Sequence, residues 1–232
     1  GGNFALSDIF GVDYAGKSEF SVDYIYDIDE EIGEGLPKIP ILIKKPGSRT
    51  LKVLPGRNAK ILASLVEPLI EANIERHIYH QHAHPARRSG FPSIVLNKVG
   101  KGQSIYIASR IFSSYINTGS PWLRDLFLNC LGKLCRNLFI RIDAPPSVYV
   151  SLMRQKDRYV LHLVNINDAK YDVSSSFMTR MIPVNNAKIR LKIRANKIYT
   201  VPDGKLLDFC YNDSGTEFVV PEIIVHKTIV VE

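Results

Sequence analysis

The run Phe91-Pro92-Ser93-Ile94-Val95-Leu96-Asn97, the turn Val99-Gly100-Lys101-Gly102 and the run Ser104-Ile105-Tyr106-Ile107-Ala108 carry the clearest local signal in the chain. Two β-rich runs joined by a glycine turn specify a hairpin, because glycine supplies the positive φ that tight turns need and β-branched residues suit a pleated surface. Upstream, Val22, Tyr24, Ile25, Tyr26 and Ile28 interleave with Asp23, Asp27 and Asp29, which predicts a strand over residues 21–29 with its acids facing water. Residues 39–44, 49–53 and 60–66 read as further strands, punctuated by Pro46-Gly47 and Pro55-Gly56. Ahead of them, Phe4, Leu6, Ile9 and Phe10 sit near helical spacing and stop at Gly11, which predicts a short helix.

Downstream of the hairpin, residues 113–119 read as a loop. Ser120 then offers an N-cap and Pro121 a first helical position. Trp122, Leu123, Leu126, Phe127, Cys130, Leu131 and Leu134 recur at three and four, so a helix with a wide apolar stripe should pack on the sheet and bury Trp122. The extended Asp143-Ala144-Pro145-Pro146-Ser147 marks a boundary. Beyond it, runs at 148–152, 159–164, 187–193, 198–201, 217–220 and 224–231 are short, β-branched and spaced by turn residues, the pattern of a small antiparallel sandwich. There is no internal repeat.

Composition bounds what such a chain can be. Its 232 residues are 45% hydrophobic and 23% charged, the balance of a globular protein, which excludes a disordered tail, a fibre and a membrane bundle. No apolar stretch approaches the length of a spanning helix and no leader opens the sequence, so the default expectation is cytoplasmic, with no membrane partner. Three cysteines, Cys130, Cys135 and Cys210, lack metal or disulfide spacing and read as buried thiols. The formal charge of +7 conceals an asymmetry: residues 1–35 hold nine acids against Lys17, a net −8, leaving +15 on the remainder. That excess alternates with apolar residues, as in Lys188-Ile189-Arg190-Leu191-Lys192-Ile193-Arg194, which reads as a strand with one solvated face, a polyanion-binding surface being the alternative reading.

Candidate chemistry is sparse. Four of the six histidines fall in Arg76-His77-Ile78-Tyr79-His80-Gln81-His82-Ala83-His84-Pro85, and His80, His82 and His84 would share one face of an extended segment. Three imidazoles with an open position could hold zinc; the competing reading is a loop that uses them for hydrogen bonding and stacking. Glu67, Glu71 and Glu75 follow at intervals of four, which describes a possible helix face better than an acid and base pair. The isolated His162 and His226 lie in expected strands and read as structural, and Gly100-Lys101-Gly102 precedes a strand and cannot be a phosphate loop.

Phe4-Ala5-Leu6-Ser7-Asp8-Ile9-Phe10-Gly11-Val12, the histidine segment followed by Ser89-Gly90-Phe91-Pro92, Asn97-Lys98-Val99-Gly100-Lys101-Gly102 with Ile105-Tyr106-Ile107, and Asp143-Ala144-Pro145-Pro146-Ser147 occur in an order that resembles the carboxy-terminal part of multidomain glycoside-hydrolase-like proteins. In that group a catalytic (β/α)8 barrel precedes a glutamine-amidotransferase-like domain similar to the trimerisation domain of family 42 β-galactosidases, and a β-sandwich closes the chain. The resemblance implies an α/β plus β fold: a truncated flavodoxin- or amidotransferase-like α/β domain over residues 1–141, followed by a small antiparallel β-sandwich over 147–232.

It also implies that the barrel, with its carboxylates, lies outside this sequence, so no catalytic residue and no cofactor is carried over. Absent parallel strands would leave the strand at 21–29 as an unpaired edge and favour self-association. The expected role is therefore a non-catalytic oligomerisation or accessory region, with a homo-oligomer and the parent's barrel as partners. Two rival readings stand beside it. One is a carbohydrate-binding module using Trp122 or Tyr115; the other is a metal-dependent hydrolase using His80, His82 and His84.

Overall fold

The computed structural model describes residues 2–44, 49–71, 83–135, 137–167 and 181–232. Two compact units divide the chain, residues 1–136 and 137–232. The first is built on a five-stranded sheet in the order β3 (Ile41–Lys44), β2 (Val22–Tyr26), β5 (Lys60–Pro68), β6 (Pro85–Val99) and β7 (Gly102–Ile107). Every pairing in it is antiparallel. The hairpin forms as its sequence demands, with Val99 opposite Gly102 and Ile94 opposite Ile107.

Each face of this sheet has its own cover. Ile94 and Leu96 point to one side and join Ile25, Ile41, Ile43 and Leu62 in a core closed by α2 (Ile111–Thr118) and α3 (Pro121–Leu134) through Ile111, Leu123, Leu126 and Cys130. Leu123 and Leu126 are fully buried and contribute about 2 kcal/mol each by apolar transfer. Val95, between them in sequence, points to the other side. There it meets Val12 and Val53 of a two-stranded ribbon, β1 (Val12–Lys17) with β4 (Leu51–Pro55), together with Phe4 and Phe10 around the short helix α1 (Ser7–Phe10).

The expected α/β domain of flavodoxin or amidotransferase type is therefore replaced by an antiparallel sheet among the described residues. Every pairing in that sheet is antiparallel, with β6 and β7 joined by a tight hairpin. The strand at 22–26 is not an edge either: it lies between β3 and β5, so the self-association argument built on its exposure fails in that form. Nor do all its acids face water. Asp23 is fully buried and accepts the Ser18 hydroxyl at 3.0 Å. The expected loop at 113–119 is instead mostly helical, within a helix over Ile111–Thr118: Ile111 and Ser114 are buried, and the Ser114 hydroxyl accepts the Lys44 backbone N–H at 3.1 Å.

A lock ties the amino-terminal segment to the hairpin. The Asn97 side-chain amide donates to the Asp8 and Ile9 carbonyls at 3.0 and 2.9 Å, and Ser104 donates to Ile9 at 2.6 Å. Gly11, with φ at +64°, ends α1 in the left-handed region and lies directly against Asn97, while its carbonyl accepts the Gly56 N–H at 2.8 Å. The acidic segment that follows β2 is stitched down as well. Lys60 reaches Asp29 at 2.7 Å and Glu31 at 3.1 Å, and Asn129 of α3 donates to the Ile32 and Glu34 carbonyls.

The second unit is a sandwich of two four-stranded antiparallel sheets, as its sequence pattern predicts. One has the order β12 (Ile198–Val201), β15 (His226–Val231), β10 (Arg158–Asn165), β9 (Val148–Gln155); the other runs β13 (Phe209–Asn212), β14 (Gly215–Ile223), β11 (Val184–Leu191), β8 (Ile140–Asp143). Leu161, Leu163, Ile229 and Val231 of the first meet Ile189, Leu191, Phe218 and Val220 of the second in one core. Buried Asn165 donates to the carbonyls of Ile182, Ile223 and Ile224, which fixes the turn before β15.

Candidate functional site

The sequence directs attention first to the histidine segment. His80 and His82 lie outside the described residues, as does Glu75. His84 is exposed, and its carbonyl accepts the Leu69 N–H at 2.8 Å. Among the described residues no group of three or more His, Cys, Asp or Glu side chains converges as a metal site.

Near His84, β2, β5 and β6 meet in a clamp of ion pairs. Glu67, almost fully buried on β5, is gripped by Lys52 at 2.8 Å and Arg87 at 3.0 Å. Burial works to raise its carboxyl, and hydrogen bonds from Lys52 and Arg87 overcome that and hold it below the usual carboxylate range. Arg88 forms a two-pronged pair with Asp27 at 2.5 and 2.9 Å and lies over the Tyr26 ring, which depresses the Asp27 carboxyl in turn. The Tyr24 hydroxyl donates to the Ala83 carbonyl. Glu71 accepts the Ser21 N–H at 2.9 Å and pairs with Arg49. The carboxylates at 67 and 71 thus both take part in holding strands and segments together.

A depressed carboxyl adds stability that is present above its unfolded value near 4 and is lost as pH falls through the lower folded value. Melting of the chain followed by calorimetry at pH 6, 4 and 3 should therefore show a decline on the acid side. That decline should be shallower in Glu67→Gln, which has no charge to lose.

Two clefts remain. In the first unit, Lys17, Arg49 and Arg110 line a cleft of about 760 Å3 with Tyr106 and Phe112. In the second unit a groove of about 940 Å3 crosses the four-stranded sheet of β13, β14, β11 and β8. Register places Arg141, Arg190, Glu217 and Cys210 in one row across it. Arg190 meets Glu217 at 2.6 Å, and Asn212 donates to the same carboxylate oxygen at 3.1 Å. The Asn212 bond, then the Arg190 bond, keep Glu217 ionised to lower pH than usual. Asp143, Lys188 and Val219 form the adjoining row, and Leu206 and Phe209 stand at the rim. Such a surface offers alternating donors and acceptors, with no nucleophile activated by a base.

Among the thiols, Cys130 does not supply one. Cys130 is buried and pushed up to about 11 by desolvation, so it stays a thiol at neutral pH. Cys135 and Cys210 are exposed, against the expectation that all three are buried. Trp122 is also displaced from its expected place in the core: it is 41% exposed on α3, and on α2 Phe112 and Ile116 project further still. Tyr115 is half-buried against the helix-covered core.

No protein-family model matches this sequence, and no curated protein does. Solved structures do. Alpha-L-fucosidase isoenzyme 2 from Paenibacillus thiaminolyticus superposes with a TM-score of 0.79 at 22% identity, over 96% of this chain and 33% of that one. A β-galactosidase from Bacillus circulans sp. alkalophilus gives 0.53 at 14% identity, over 100% and 26%. The cold-adapted β-galactosidase from Rahnella sp. R3 gives 0.54 at 14%, over 97% and 24%. The chain thus has the fold of a portion of glycoside-hydrolase chains, spanning about a third of the fucosidase and a quarter of the β-galactosidases. No helix of the described residues is long and apolar enough to cross a membrane.

Proposed function

We propose that this chain is a non-catalytic oligomerisation and accessory region of a glycoside-hydrolase-like protein, acting on a barrel that its own sequence does not contain. The observation that carries this reading is the asymmetry of the likeness: virtually all of this chain is matched, by only a third or a quarter of each hydrolase. The first unit, an antiparallel sheet covered by helices, would serve assembly, and the second would be the closing β-sandwich. The engagement of Glu67, Glu71 and Asp27 in ion pairs supports a role in shape and not in bond chemistry.

Exposed Phe112, Ile116 and Trp122 give the first unit an apolar patch suited to another subunit or to the parent barrel. Sedimentation over a hundredfold concentration range should reveal reversible association, and Ile116→Asp should shift it toward monomer. Assay against nitrophenyl fucoside and galactoside should show no turnover. Hydrolysis that a single substitution in this chain abolishes would overturn the proposal.

A second reading, carbohydrate binding, is favoured by the groove over β13, β14, β11 and β8, whose charged rows could bond sugar hydroxyls. Retardation on immobilised polysaccharides, lost in Arg190→Ala and kept in Trp122→Ala, would select it. The metal-dependent hydrolase built on His80, His82 and His84 draws no support from the described residues.

A further inference from the structure

Two histidines that lie 64 residues apart in sequence meet on the outer face of the sandwich. Leu161 and Leu163 of β10 point into the core, so His162 between them faces out. On β15, Ile229 and Val231 point inward, and Thr228 and His226 share the outer face with His162. Thr228 is directly opposite His162 in the ladder, with Ser151 of β9 on its other side.

The geometry of the three donors is specific. His162 Nδ1 lies 3.1 Å from His226 Nε2, and Thr228 Oγ1 lies 3.3 and 3.4 Å from the two nitrogens. The rings are inclined by only 15°, and their centroids, 5.4 Å apart, are separated by the N···N distance plus about two ring radii. The two nitrogens therefore face each other. One carries a proton and donates to the lone pair of the other, because two facing N–H groups would repel. Moving that proton to the other nitrogen of its ring leaves two lone pairs aimed into one small space.

A zinc–imidazole bond is about 2.0–2.1 Å long, and two such bonds at the tetrahedral angle span roughly 3.3–3.4 Å. The triangle formed by the nitrogens and the hydroxyl has edges of 3.1, 3.3 and 3.4 Å, so it has the dimensions of one face of a coordination tetrahedron. We infer that His162 and His226 form a binding site for a divalent transition-metal ion of the zinc, nickel and copper class, with the Thr228 hydroxyl and water on the remaining positions. Imidazole ligation selects these ions over calcium and magnesium, which demand oxygen ligands.

Binding forms two metal–nitrogen bonds, and the proton held between the rings passes by way of solvent to the far nitrogen of its own imidazole, so both ligands stay neutral. Rotation of each ring by a few tens of degrees brings both lone pairs onto the ion. With two protein nitrogens and no thiolate or carboxylate in the set, the site is open and exchangeable, unlike a closed structural zinc centre. The bound ion joins β10 to β15, and since the unfolded chain has no such pair, occupancy stabilises the folded sandwich by mass action.

The test is chelator competition with zinc on the full, untagged chain, with calorimetric melting as a second readout. Wild type should hold one zinc equivalent that His162→Ala and His226→Gln each lose, together with the zinc-induced rise in melting temperature. His226→Gln keeps a side chain able to hydrogen bond His162, so loss in both variants reports the missing ligand and not a broken strand. Because the segment at 77–84 is also histidine-rich, a variant with His80, His82 and His84 all replaced by alanine should keep this equivalent. An unchanged zinc count in His162→Ala and His226→Gln, or its complete loss in the triple variant, would overturn the assignment.

Discussion

Gly215→Ala is expected to abolish cooperative melting of the sandwich at physiological temperature. Gly215 opens β14 with φ at +119°, a conformation that side chains rarely adopt, and a Cβ built there would lie 2.2 Å from the Leu191 carbonyl oxygen and 3.0 Å from the Lys192 Cα. Both neighbours are backbone, so no rotamer change relieves the overlap. The strand would have to separate from β11 where Thr216 pairs with Leu191, a residue at the centre of the core. Strain of about 1–3 kcal/mol from the backbone alone, with the lost ladder added, exceeds about 4 kcal/mol, which is a large share of what an ordinary domain has in reserve. Circular dichroism and calorimetry would show it directly; a native-like melt within a few degrees of wild type would contradict the account.

The second large effect belongs to the lock at the other end of the chain. A Cβ on Gly11 would sit 2.5 Å from Asn97 Cγ and 2.8 Å from its Oδ1, so Gly11→Ala must expel the Asn97 side chain from its place. Expulsion breaks the two bonds to the Asp8 and Ile9 carbonyls in a nearly buried position, and each such loss costs about 1–3 kcal/mol. With the left-handed φ included, the first unit should lose about 3–5 kcal/mol. A double-mutant cycle separates the parts. In an Asn97→Ala background the same glycine substitution should cost at least 1 kcal/mol less, since most of the clash and both bonds are already gone. Additive costs would show that the two residues do not act as one device.

These two devices also mark what the amino-acid sequence discloses and what it withholds. Alternation revealed β2, β5, β10, β11 and the hairpin of β6 and β7, and spacing of three and four revealed α3, because each buries one face whose residues are neighbours in the pattern. The ribbon strand β1 escapes that logic: in Val12–Lys17 only Val12 is buried, and the segment is a strand because β4 lies beside it. Helix α2 escapes because Ser113, Ser114, Asn117 and Thr118 favour turns in isolation. In place, Asn117 and Thr118 turn their side chains onto the carbonyls of Ser113 and Ser114, and burial of Ile111 fixes the rest.

Polarity misleads in both directions. Asp23, read as solvent-facing, is buried with a hydroxyl partner, while Trp122, read as core, stands at the surface. The parallel α/β sheet was an inference from resemblance, and the pairing partners of β2 overturn it. The glutamates at 67 and 71 become intelligible only when Lys52, Arg87 and Arg49, from other strands and segments, come to meet them. The site at His162 and His226 has no sequence signature at all, since register alone creates it.

The strand pairings of the sandwich carry a kinetic consequence. Strand β8 has its described partner in β11, with Ile140 opposite Leu191, and β10 waits for β15, with Tyr159 opposite Val231. Loops of some fifty and seventy residues must therefore close before either contact is rewarded, so assembly of this half should run on the millisecond-to-second scale of β-rich domains. During synthesis, β8, β9 and β10 leave the ribosome well before β15, and the hydrophobic sides of Leu161 and Leu163 stay bare until β11 and β14 of the opposing sheet arrive.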